Sequence, residues 1–106
     1  MNKNILRAQK PLPAAWHKIS RVCEALGDVQ RQRILLAFAP DEKLSIRHIV
    51  ESSPLSRTAI THHLHVMRDA GVLHSVKVGK EMLFWVDKDF VRECLSHVIA
   101  YIDESL

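Results

Sequence analysis

Apolar residues recur at three- and four-residue spacing over most of the chain and close up into two short β-branched and aromatic runs near residue 80. The pattern predicts helices with one hairpin between them. After Pro11 and Pro13, Trp16, Ile19, Cys23 and Leu26 form one apolar line that Gly27 stops, giving a helix over residues 14–26. Asp28 is placed to cap a second, mostly buried helix carrying Val29, Ile34, Leu35, Leu36 and Phe38 and ending before Pro40. Ser45 is the cap expected for a short helix with Ile46, Ile49 and Val50 inward, which Ser52, Ser53 and Pro54 break. Ser56 then opens a longer helix whose Ile60, Leu64 and Met67 make a stripe closed by Gly71. Val72–Val78 and Met82–Val86 flank the turn at Gly79 and Lys80 and predict the hairpin. From Asp87 onward, Phe90, Val91, Cys94, Leu95, Val98 and Ile102 give a last helix with a wide apolar face.

A short helix, a tight break and a second amphipathic helix form a helix-turn-helix arrangement, and the hairpin after it supplies a wing. The fold expected is mainly α with a small β-hairpin, a winged helix-turn-helix of order α-α-α-α-β-β-α. At 100° per residue, the side opposite Ile60, Leu64 and Met67 carries Thr58, His62, His65 and Asp69, flanked by Arg57, Thr61 and Arg68. These are hydrogen-bonding side chains on a helix of a size that fits the major groove of B-DNA. Arg57 is the best base-reading candidate, because a guanidinium pairs bidentately with guanine. Thr58, Thr61 and His62 reach phosphates or base edges, and Lys77 and Lys80 on the wing hold phosphates without reading sequence.

Composition narrows the function without deciding it. The chain has 106 residues, 47% hydrophobic and 25% charged, which is one domain's worth of globular sequence. Its longest uncharged apolar run, Ile34 to Pro40, is far too short for a membrane span, and no secretory h-region follows Lys3, Arg7 and Lys10. A cytoplasmic protein with no membrane partner is expected. Residues 1–13 read as an N-terminal, flexible basic arm and residues 14–106 as the single domain. The net charge is +3, unevenly spread. Lys3, Arg7, Lys10, Lys18, Arg21, Arg31 and Arg33 face only Glu24 and Asp28 in the first third, whereas the last helix region is acidic. The apolar faces of the first and last helices exceed what a small core covers, so these helices are expected to form a homodimer interface. A two-fold axis would set two recognition helices about one DNA turn apart, matching an inverted-repeat operator in double-stranded DNA.

Three stretches, Leu26-Gly27-Asp28 through Arg33-Ile34-Leu35, Leu55 through Leu64, and Asp69-Ala70-Gly71-Val72-Leu73, resemble the signature run of ArsR/SmtB-type winged-helix transcriptional regulators. The resemblance spans about Glu24 to Val86. It implies a homodimeric repressor that binds an operator near its own promoter and releases it on sensing a signal. The recognition-helix contacts it implies map onto Arg57, Thr58, Thr61 and His62, the same side chains that periodicity turns outward.

The sensing sites of that family are not matched. Where its members carry a Cys-x-Cys pair before the turn, this chain has Ser45 and Arg47. The last-helix ligand positions hold Lys88, Phe90, Tyr101 and Glu104, of which only the last could ligate. No metal site and no cofactor are expected, although Cys94 and His97, with Cys23 or His17, remain a conceivable donor set. A different signal is open to Cys23 and Cys94: a disulfide between the first and last helices, possible if their Cα atoms approach within about 7 Å. Such a thiol redox-responsive regulator is one alternative, and a winged-helix protein-interaction module is another. No nucleophile elbow, phosphate loop or carboxylate pair points to an enzyme.

Overall fold

The computed structural model describes residues 10–106. The basic positions Lys3 and Arg7 of the expected arm therefore lie outside the described residues. Among these residues, five helices and three strands follow in the order α1 (Ala14–Leu26), α2 (Val29–Leu36), β1 (Leu44–Ser45), α3 (Ile46–Glu51), α4 (Arg57–Asp69), β2 (Leu73–Val78), β3 (Glu81–Val86) and α5 (Lys88–Ser105).

The predicted helices form, with two boundary and facing differences. In α1 the buried line is Ile19, Val22 and Ala25, while Cys23 is exposed. The helix is thus rotated away from the expected stripe. Helix α2 ends at Leu36 rather than running toward Pro40, and of its apolar residues only Ile34 is fully buried; Val29 and Leu36 are exposed. Asp28 caps it as expected, accepting from the Gln30 and Arg31 amides at 2.8 and 3.1 Å. Those bonds, that of Arg31 foremost, hold its carboxyl below the ordinary value of 3.8.

The hairpin is part of a three-stranded antiparallel sheet of order β1-β3-β2. Leu44 and Ser45 pair with Phe84 and Leu83, a strand too short to leave an alternation in the sequence. Ser45 ends that strand and caps α3: its Oγ accepts from the His48 amide at 3.2 Å while His48 Nδ1 accepts from the Ser45 amide at 3.3 Å. The core lies where α4 meets α1, α2 and β2, with Ile60, Leu64, Met67, Val22, Leu73 and Phe84 completely or almost completely buried.

Helix α4 stops in a Schellman motif. The Gly71 amide donates to Arg68 O at 2.9 Å and the Val72 amide to Met67 O at 2.9 Å, with Gly71 at φ +86°. The Phe90 ring of α5 packs so closely over this glycine that a Cβ there would lie 2.6 Å from Cε2. Asp87 then starts α5. Its side chain accepts from the Phe90 amide at 3.0 Å and from His74 Nε2 of β2 at 2.6 Å, tying the base of the wing to the last helix.

Candidate nucleic-acid interface

Helix α4 owes its placement to its two ends and its underside. Ser56 Oγ accepts from the Ala59 amide at 3.1 Å, so the helix begins sharply after the break at Pro54. Ile60, Leu64 and Met67 have no exposed surface and lock its rotation. Rotation being fixed, the opposite side must face solvent. Arg57, Thr58, His62, His65 and Asp69 are exposed there, and Thr61 is half-buried at its margin. Arg57 and Thr58 occupy the first two helical positions, with Thr61 and His62 one turn on.

His63 does not join this surface. It is half-buried, and its Nδ1 lies 3.3 Å from Arg31 Nη1. Arg31 also donates from Nε to Ala25 O at 2.7 Å and from Nη2 to Glu24 O at 3.2 Å. One guanidinium thus joins the end of α1, helix α2 and helix α4. In the sequence Arg31 counts only as one more positive charge; its bracing role comes from the Ala25 and Glu24 carbonyls at the end of α1, the latter shared with the Gly27 amide.

On the wing, Lys77 stands opposite Met82 one residue before the end of β2, and Lys80 sits in the turn beside Gly79, which takes φ +61°. Both lysines are exposed, and neither they nor Arg57 make an ion pair among the described residues. The acid beside them is engaged elsewhere: Glu81 pairs with Arg47 of α3 at 3.4 Å. Helix α4 and the wing strands belong to one packed unit, since α4 packs directly on β2.

The two cysteines are both free thiols on the packed helices α1 and α5, Cys23 exposed and Cys94 buried. Burial pushes the Cys94 thiol up from its ordinary value, and the nearby charges of Glu93 and Cys23 add to this, against Lys18. His97 packs edge-on against Trp16 with ring centroids 5.7 Å apart. Among the described residues no three His, Cys, Asp or Glu side chains gather as a metal would require, and no helix is long and apolar enough to cross a membrane.

No protein-family model matches the chain. An HTH-type transcriptional regulator of Methanocaldococcus jannaschii, itself uncharacterized, is 26% identical over 89 residues, covering 84% of this chain and 96% of that one. The solved structure of an ArsR-like transcriptional regulator from a Rhodococcus species superposes with a TM-score of 0.74 at 26% identity, over 86% of this chain and 88% of its own. The chain has the fold of the ArsR-type winged helix-turn-helix regulators. The solution structure of a homodimeric winged helix-turn-helix domain from Mycobacterium bovis, a possible ArsR-family regulator, shares that fold with a TM-score of 0.68 at 21% identity, each chain covered over 82%. In this ArsR-type framework α3 and α4 are the helix-turn-helix, β2 and β3 the wing, and α1 and α5 the flanking pair. At this level the comparisons support a transcriptional regulator of winged helix-turn-helix type.

Proposed function

We propose that the chain is a homodimeric, sequence-specific transcriptional repressor, with α4 entering the major groove of an inverted-repeat operator and the wing gripping the flanking backbone. One observation carries this reading: α4 is locked by a fully buried apolar side while Arg57, Thr58, Thr61 and His62 stand on or beside its free side. Arg57 and Thr58 lie in the first turn, where backbone amides left without helical partners favour a phosphate. Lys77 and Lys80 supply phosphate contacts that fix register. Repression, rather than activation, is carried over from the family resemblance, as is an operator near the chain's own gene.

The dimer reading rests on α1 and α5. Leu95, Ile99, Tyr101 and Ile102 of α5, and Leu12 just ahead of α1, are each at least 40% exposed, an apolar surface that a second copy would cover. The homodimeric state of the Mycobacterium bovis domain supports the same assignment.

The deciding experiment is fluorescence anisotropy of the purified full chain on duplex DNA from upstream of its own gene, against a scrambled duplex. Specific binding that weakens steeply with salt is expected, and Arg57→Ala should lose about 1–3 kcal/mol of preference per operator half-site. A protein-docking module would show neither the salt dependence nor the loss.

Redox control through Cys23 and Cys94 is a second reading, favoured by the placement of both thiols on packed helices. Burial keeps Cys94 protonated and slows its attack on an oxidant. A Cys23→Ser, Cys94→Ser chain that responds to diamide or persulfide as the parent does would exclude it.

A further inference from the structure

A half-open cavity lies away from α4, between the loop that follows α2, the end of β3 and the start of α5. Its volume is about 640 Å³, within the usual range of small-molecule sites. Phe38, Trp85 and Pro40 give it an aromatic and apolar corner, and Lys43 and Lys88 stand at its polar side.

The loop wall is built rather than loose. Glu42 N–H donates to Ala39 O at 3.1 Å, and the Glu42 carboxylate accepts from the Ala39 amide at 3.2 Å. Pro40 and Asp41 occupy the two central positions of this turn, with Asp41 at φ +58° in the left-handed region. A proline followed by a positive φ is the arrangement of a type II turn. Asp41 is the one non-glycine residue with positive φ among those described, and it lines this cavity.

The charges at the rim are unequally committed. Glu42 is used in closing the turn. Lys88 meets Asp41 at 3.5 Å, but both side chains are largely exposed, so water competes for the contact. Lys43 makes no ion pair among the described residues; its Nζ lies 4.7 Å from the centroid of the Trp85 ring. On the strand beside it, His74 leans on the same tryptophan with centroids 5.7 Å apart. The result is an aromatic corner with one ammonium unpaired and a second easily released.

From this we infer that the cavity is a ligand site for a small aromatic carboxylate, whose ring rests in the Phe38–Trp85 corner and whose carboxylate takes Lys43 and Lys88, displacing Asp41 from the latter. The site joins β3 of the wing to the first turn of α5, so a ligand there touches both the DNA-facing and the helix-pair halves of the fold. Any effect of that ligand on operator binding rests on the function proposed above, whereas ligand binding itself does not.

The test uses the full chain without DNA, so a negative result leaves the DNA reading untouched. Calorimetric titration is made with benzoate and indole-3-acetate, with indole-3-methanol as the neutral control and benzylammonium as the cationic one. Saturable binding of a carboxylate is expected, at least about fivefold tighter than its neutral control, with a loss of about fivefold in each of Lys43→Gln and Lys88→Gln. Both lysines are exposed, so an unchanged urea midpoint in the variants will separate lost binding from lost folding. The inference is overturned by the absence of saturable carboxylate binding at millimolar concentration, by benzylammonium binding as well as the carboxylates, or by full affinity in the Lys43→Gln, Lys88→Gln double variant.

Discussion

Gly71 is where a single atom matters most. Its φ of +86° disfavours any L side chain, and a Cβ would sit 2.6 Å from the Phe90 ring, which the close packing of α5 holds in place. Gly71→Ala is therefore expected to cost roughly 2–3 kcal/mol, combining backbone strain with the displacement of Phe90. A lowered urea midpoint with an unchanged slope would establish it. Asp87 makes a second prediction. The Phe90 amide, and then the His74 side chain, hold its carboxyl below the ordinary value of 3.8. A depressed folded-state pKa contributes stability that is present above the unfolded value and lost as pH falls through the folded one. Stability should accordingly decline as pH drops from about 5 toward 3 and below, and Asp87→Asn, which keeps a capping oxygen but no charge, should flatten that decline. Urea midpoints measured across this range decide the matter. Gly71 and Asp87 were both legible as punctuation, a helix stop and a helix start. The contacts that make each one costly to change were not, because Phe90 and His74 reach them from other elements.

Among the elements, the wing is the one whose role is most sharply separable. Lys77 and Lys80 are exposed and unpaired among the described residues, while Glu81 is drawn off by Arg47. In the proposed complex these lysines touch phosphates and no bases. The double variant Lys77→Gln, Lys80→Gln, which removes four phosphate contacts from the proposed dimer, should then weaken operator and random DNA alike and reduce the magnitude of the salt slope by about 3–4. An unaltered slope would remove the wing from the interface. Helix boundaries were legible wherever a side chain caps the backbone: Asp28, Ser45, Ser56 and Asp87 each accept an amide near the start of their helix. They were less legible where termination depends on a loop. Helix α2 stops at Leu36 because the chain turns into the Ala39–Glu42 turn, which leaves Phe38 outside the helix and against the cavity. Strand β1 was invisible for a different reason: a two-residue strand has no period to detect, and pairing with β3 defines it.

For the molecule as a whole, the α1–α5 surface carries the proposal that it acts as a dimer. Ile99 and Ile102 are 58% and 50% exposed on a helix that buries only Cys94 fully. Placing a charge there, as in Ile99→Glu, should convert the proposed dimer to a monomer in light scattering while far-UV circular dichroism stays unchanged. It should also weaken operator binding far more than binding to a half-site, since two linked recognition helices act with a high effective concentration. A parent chain that is monomeric at micromolar concentration would remove the dimer from the proposal.

What the sequence determined by itself was local and periodic. Cap residues set helix starts, the 3.6-residue rhythm of α4 turned Arg57, Thr58 and His62 outward, and β-branched runs made a hairpin, because each depends on neighbours within one or two turns of chain. What the tertiary structure decided was everything set by a partner far along the chain. Ala25 rather than Cys23 faces inward because α1 rotates to meet α4 and α5, and the two side chains are too similar in size and polarity for the pattern to choose between them. Arg31 becomes a brace, Ser45 a strand end, and the Phe38–Trp85 corner a cavity only when distant segments close on one another. A sequence records the side chains available at each position, but burial and pairing are properties of the space between elements.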